Sequence, residues 1–432
     1  LPVQTAFLKL ADGMAETVGL LGRPLDADTL VSRAQQSTGF SNFGDLSFVD
    51  PLRRFLASCS DEASLSLVGR MATQWDVLRF LTNLLQFQAA ESRDPGIRNQ
   101  LIERPIFITG LPRTGTTFLH RLLMADPANR APRVWETIYP YPLAKRARRG
   151  LDARASRVAR QLRTFEMLAP EFRGLHPLDA NSPQECSEIT AHVFRSLRFD
   201  TTYHVPTYRR WLDGAGHLPA YEFHKRFLQH LQHQQPGGRW VVKCPEHLFA
   251  LDAIRSVYPN ARLVFVHRDP VKVLLSVAKL TEVLRRPFTR RIDRREIGVQ
   301  ESRRWLEGAR QMISAGDNAG FPEPIHHVQY KDLAADPLAT VKSLYRHFNL
   351  MLAPMAAEAI GQYARARPNG GYGPRTYRFE DHGLDGGAER EKFRAYMLRF
   401  GIEPEGDADR RSGGTRPTMT RPPARPMRPV TT

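Results

Sequence analysis

Pro105-Ile-Phe-Ile-Thr-Gly-Leu-Pro-Arg-Thr-Gly-Thr-Thr-Phe118 decides the fold. Ile106 to Thr109 is an apolar run of the kind that makes a buried strand. Gly110 to Gly115 is a glycine-bounded loop, and Thr116 opens a helix. A strand, a tight loop and a helix start in that order form an anion cradle. Backbone N–H groups of the loop and the positive end of the helix dipole converge on one anionic group.

The loop has the G-x-x-x-x-G frame of a nucleotide-binding P-loop, but Thr116 stands where that motif requires Lys before Ser/Thr. Its cation is Arg113, inside the loop. Such a loop is poorly built to hold the γ-phosphate of ATP and well suited to a single 5′-phosphate. It resembles the 5′-phosphosulfate loop of sulfotransferases, which use 3′-phosphoadenosine-5′-phosphosulfate (PAPS). In that family a cation-Ser/Thr-Gly-Thr-Thr run follows the first strand. Here the run is Arg113-Thr114-Gly115-Thr116-Thr117. The resemblance implies that these residues hold the donor. Arg113 matches the catalytic Lys of cytosolic members, opposite the leaving 5′-phosphate.

Leu263-Val-Phe-Val-His-Arg-Asp-Pro270 is a second buried strand ending in a charged turn, and a helical pattern follows it. Arg268 stands at the strand end, with Ser276 eight residues on. This spacing resembles the 3′-phosphate site of sulfotransferases. A guanidinium grips a phosphate through two parallel N–H bonds, and a hydroxyl two turns into the helix reaches the same oxygens. The competing reading is an Arg268 that caps a helix or pairs with a carboxylate. Tyr330-Lys-Asp-Leu-Ala-Ala-Asp-Pro337 follows a strand at His326 to Tyr330. It is similar to a family segment whose Tyr lies near the adenine, so Tyr330 is either a stacking platform or a packing residue.

Asn181 to Glu188, Trp240 to His247 and Tyr377 to Leu384 are similar to stretches that recur in bacterial members. Together these segments cover roughly residues 100 to 400, and the chain resembles a bacterial PAPS-dependent sulfotransferase. That implies an α/β fold, P-loop-like, with three α/β/α layers and a central parallel sheet. It also implies transfer of a sulfuryl group to a hydroxyl or amine of a small-molecule, lipid or carbohydrate acceptor. Sulfuryl carries less charge than phosphoryl, so no metal is required, and the sequence shows no acidic metal site beside the loop. Cytosolic members place Lys-x-His after a core strand as the source of the general base. Here Lys243 is in place, but His247 comes two residues late. His247, Glu185, Glu188 and the adjacent Glu246 are the proton acceptors open to the acceptor hydroxyl. Lys243 either touches the sulfuryl oxygens or forms an ion pair. No Arg-Lys-Gly triplet is present near the C-terminus. Gly370 to Arg378, with Arg375 and Tyr377, stands in its region as a further phosphate contact or a lid.

The 432 residues divide into three parts: a helical N-terminal extension over 1–100, a catalytic domain over 101–402 with a mostly helical substrate region at 134–239, and a Pro/Arg-rich tail over 403–432 that is expected to be disordered. The formal charge of +17 is concentrated at Lys145 to Arg163, Arg285 to Arg304 and Arg410 to Arg428. These clusters read as solvated helix faces rather than as a specific nucleic-acid surface. They suit a doubly anionic donor and are compatible with peripheral membrane contact. No apolar run reaches membrane-spanning length. Three scattered cysteines, Cys59, Cys186 and Cys244, argue for a reducing, cytoplasmic setting. The chain starts at Leu1, so the native N-terminus is not defined. A small-molecule kinase and a non-catalytic polyanion-binding protein are the alternatives. The missing loop Lys counts against the first, and only the charge supports the second.

Overall fold

The computed structural model describes residues 12–17, 19, 21–142, 153–367 and 378–405. Among the described residues five strands form one parallel sheet: β1 Ile106–Gly110, β2 Asn129–Arg130, β3 Arg239–Lys243, β4 Arg262–His267 and β5 His326–Gln329. Their order is β2-β3-β1-β4-β5, so the strand that carries the anion loop is central. Ile106 pairs with Val241 on one side and Arg262 on the other. Every residue of β1 is buried, as expected for a parallel strand covered on both faces. The two-residue β2 has no apolar run and so no signature in the sequence.

The strands alternate between two cores with the period of the pleat. Ile106, Ile108, Val241, Val264, Val266 and Val328 face a core closed by helices Thr116–Leu123, Pro337–His347 and Pro354–Ala366. Phe107, Val242, Leu263 and Phe265 face a larger core, which runs from Leu25 to Ile402. Helices Leu67–Arg93, Leu218–Gln234 and Arg294–Ser314 contribute to it. Each buried Phe there, such as Phe80, Phe194 and Phe227, contributes about 1.5–3 kcal/mol of apolar burial.

The N-terminal helices are therefore part of the main body. Ser66 caps helix Leu67–Arg93 through Gly69 N–H at 3.0 Å, and its hydroxyl donates to Pro287 O at 3.0 Å. A Cβ on Gly69 would stand 2.0 Å from Phe288 O, so only glycine permits this crossing. Asp269 caps helix Pro270–Arg285 at Val271 N–H, and proline occupies the first helical position.

Three expectations change. Tyr330 begins a short helix, Tyr330–Ala335, instead of ending a strand. Arg285 and Arg304 belong to a cluster read as solvated, yet both are buried, facing Asp200 at 3.9 Å and Asp213 at 3.1 Å. Glu403 to Glu405, assigned to a disordered tail, follow the body in order, and Ile402 before them is buried. The rest of the tail, and Gly370 to Tyr377 with Arg375, lie outside the described residues. Among the described residues no helix is long and apolar enough to cross a membrane.

Candidate active site

The anion loop is built by its own backbone. Thr114 Oγ1 donates to Leu111 O at 2.8 Å and closes the turn. Gly115 follows in the left-handed region, φ 95°, where a Cβ would come 2.8 Å from the Tyr330 ring. Gly115 is also the residue that precedes helix Thr116–Leu123, so no side chain caps the first turn. The first N–H groups of a helix start left without a side-chain cap are available to an anion. Arg113 also has a positive φ, 66°, a conformation that costs a non-glycine residue about 1–3 kcal/mol.

The side chains extend this cradle. Arg113 Nε donates to Ser276 Oγ at 3.0 Å and Nη1 to Leu175 O at 2.7 Å. Arg268 lies alongside, its Nη1 donating to Arg113 O at 3.1 Å. The guanidinium sits 4.0 Å over the Tyr330 ring. One face of Tyr330 thus carries Arg268 and its edge meets Gly115, which makes it first a support for the two anion contacts. The carboxylate alternative for Arg268 is realised too: both oxygens of Glu405 accept from it.

Lys243, at the end of β3, donates to Thr117 Oγ1 at 3.0 Å and pairs with Glu185. An isolated parallel bridge between residues 185 and 243 brings the two segments together. Burial pushes the Glu185 carboxyl up, but the Lys243 ammonium, followed by His176, outweighs it and leaves the group below its ordinary value. Glu185 is ionised at neutral pH. Glu246 is the opposite case: burial raises it to about 8, and it takes hydrogen bonds from Ser196 and Leu197. At neutral pH it is largely protonated and is no base. Glu188 is held between Arg79 at 2.6 Å and Arg198 at 2.9 Å.

His247 is not brought to this site. The short helix Pro245–Phe249 turns it inward, edge-on to Phe107 at 4.9 Å and bonded to Tyr221 at 2.5 Å. It is fully buried and absent from the cavity wall, and burial drives its pKa well down. His247→Ala is expected to cost about 2–4 kcal/mol of stability through the void and the orphaned Tyr221 hydroxyl. The folded variant should keep the wild-type shape of kcat against pH. Loss of the acid limb of that profile would return His247 to the chemistry.

His176 takes the place by the loop, and no sequence motif announced it. It lines the cavity, and the carbonyls on either side of it are pinned: Leu175 O by Arg113, and Pro177 O by Arg121 at 2.5 Å. Burial lowers its pKa to about 4, so the ring is neutral at pH 7.

Arg113, Gly115, Thr116, Thr117, Arg268, Ser276, Tyr330 and Glu185 all border one cavity of about 2000 Å³. Lys243 stands just behind Thr117 and Glu185. Thr114 is buried beneath the loop. Away from the anion cradle the walls mix apolar and charged side chains: Met71 and Trp75 from helix Leu67–Arg93, Phe165 from helix Ala153–Leu168 and Leu280 from the helix after β4 stand beside paired groups such as Asp76 and Arg198. The extension and the insertion thus contribute to the cavity wall.

A model of the Sulfotransferase family matches residues 105–354. The omega-hydroxy-beta-dihydromenaquinone-9 sulfotransferases Stf3 of Mycobacterium bovis and Mycobacterium tuberculosis are each 26% identical to this chain over 268 residues. That match spans 58% of this chain and 64% of theirs, just under two thirds of the relatives' length. Sulfotransferase STF1 of Mycobacterium tuberculosis H37Rv superposes with a TM-score of 0.75 at 30% identity, over 86% of this chain and 99% of its own. Sulfotransferase STF9 of Mycobacterium avium does so at 0.79 and 27%, over 88% and 98%.

Proposed function

The chain belongs to the sulfotransferase family, and we propose that it moves the sulfuryl group of PAPS onto a hydroxyl of an apolar, lipid-like acceptor. The observation that carries this reading is an anion cradle with two arginines that opens into a large cavity with substantial apolar surface. The residues fit the donor. The uncapped helix start and the Gly115 turn, too close to Tyr330 for any side chain, leave room for a 5′-phosphate. Arg268 and Ser276 offer donors for a 3′-phosphate. The donor supplies an activated sulfur bonded through oxygen to phosphate.

In the transfer, the acceptor oxygen forms a bond to sulfur while the bridging sulfur–oxygen bond breaks, and its electron pair stays on the 5′-phosphate. Arg113 and the loop amides meet that growing charge. Its permanent charge suits Arg113 to stabilisation and not to proton donation. Glu185, ionised and at the cavity wall, takes the proton of the acceptor hydroxyl. Lys243 orients Glu185 and Thr117 by bonding both. Two points support a lipid-like acceptor: the apolar side chains that line part of the cavity, and the hydroxylated menaquinone derivative in the name of the Stf3 relatives. The three cysteines are buried free thiols, in keeping with a cytoplasmic location.

Calorimetry tests the donor assignment. 3′-Phosphoadenosine-5′-phosphate is expected to bind at least about tenfold more tightly than adenosine-5′-phosphate, the margin of charge-assisted bonds to one phosphate. Equal binding of the two, or preference for ATP with Mg²⁺, would overturn the reading.

A further inference from the structure

Arg268 already holds an anion, and it comes from the chain itself. Its Nε donates to Glu405 Oε1 at 2.7 Å and its Nη2 to Oε2 at 2.8 Å. Two parallel N–H bonds to two oxygens is also how a guanidinium takes a phosphate. The remaining contacts fix the fork. Nη1 donates to Arg113 O, and the Tyr330 ring supports the guanidinium plane.

The carboxylate arrives by a built path. Helix Arg394–Phe400 ends at Gly401, Ile402 is buried behind it, and Gln329 Nε2 donates to Phe400 O at 2.8 Å. The backbone N–H of Glu405 then donates to Asp269 Oδ2 at 2.8 Å. The other oxygen of Asp269 caps the helix at Val271 N–H. The segment is therefore tied by its backbone to the very turn that presents Arg268. The Glu405 side chain is 35% exposed and can swing out, whereas Arg268 is the more buried partner at 23%.

We propose that Glu405 is an internal stand-in for the 3′-phosphate, competing with it for the two N–H groups of Arg268. This rests on Arg268 being the 3′-phosphate contact. A guanidinium sunk this far is costly to leave unpaired. Exchange with Glu405 keeps it paired as a nucleotide arrives and as the product departs. A phosphate monoester carries more charge and more acceptor oxygens than a carboxylate, so it wins the exchange. A nucleotide with a 3′-hydroxyl has nothing to displace Glu405 with. The device trades some donor affinity for easier release of a product that keeps its 3′-phosphate.

The test is calorimetry on the full chain with 3′-phosphoadenosine-5′-phosphate and adenosine-5′-phosphate, for wild type, Glu405→Gln and Arg268→Ala. Glu405→Gln keeps the side-chain volume at a part-exposed position, and an unchanged melting temperature checks the fold. It is expected to bind the bisphosphate about three- to tenfold more tightly, the worth of a part-exposed charged pair, with adenosine-5′-phosphate unaffected. Arg268→Ala should weaken the bisphosphate alone. If Arg268→Ala weakens it but Glu405→Gln leaves it unchanged or weaker, the stand-in is refuted and the Arg268 contact survives. Equal tightening of both nucleotides also refutes it, because the segment then merely covers the pocket. An Arg268→Ala variant with undiminished affinity removes the 3′-phosphate contact itself.

Discussion

Arg113→Ala is expected to lower kcat by about 10²–10³-fold, the usual loss when one preorganised charge contact to a developing anion is removed. Arg113 holds its place at φ 66° and is steadied by Ser276 and Leu175 O. A side chain kept in that backbone conformation, with Nε and Nη1 held by Ser276 and Leu175 O, fits a group that must not reorganise when charge appears. Alanine also releases the Leu175 carbonyl and with it the strand of chain bearing His176, so positional effects have to be separated from charge. Arg113→Lys does that. It keeps the cation and loses the planar fork, and it should recover a large part of the rate. If the lysine variant is as slow as the alanine variant, the role of Arg113 is to hold the segment at residues 175–177. Single-turnover rates at saturating donor are the measurement.

Glu185→Gln comes next in size, with a fall of about 10²–10⁴ in kcat and little change in nucleotide affinity. The wild-type pH profile carries a sign that can be worked out. Glu185 acts as base only when ionised, and its pKa is held below the ordinary carboxyl value by Lys243 and His176 against the effect of burial. Activity should therefore persist as pH falls through the normal carboxyl range and drop only below it. In the glutamine variant that limb should vanish. The pair also stabilises the fold: its ionised form is favoured in the folded state, so its contribution is present above the unfolded carboxyl pKa and is lost as pH falls through the lowered value. Breaking it costs less than a fully buried pair would, because the Glu185 side chain is 26% exposed. A modest loss of rate in Glu185→Gln beside a severe one in His176→Gln would transfer the base to His176.

Much of this was legible because it is local. Strand, loop and helix at residues 106–118 follow from neighbouring residue types, as does the Arg-Asp-Pro turn after β4. What escaped the sequence is what distance brings together. Glu185 and Lys243 are named in separate segments, and only the bridge between those segments makes them a pair. His247 has the right residue type near the right strand end, but the helical turn at Pro245 sends it into the core. Tail composition, rich in Pro and Arg, hides the short run up to Glu405 that a single backbone bond to Asp269 secures. Arg285 and Arg304 look solvated by composition and are buried by partners far along the chain.

The larger core has a consequence for synthesis. Leu25, Phe55 and Phe80 share it with Phe194, Phe265 and Tyr396, so its first members leave the ribosome long before its last. For most of translation the N-terminal helices carry apolar faces whose lasting partners do not yet exist. A nascent chain in that condition is a customer for holding chaperones, and slowed elongation past the sheet would lengthen its exposure to aggregation.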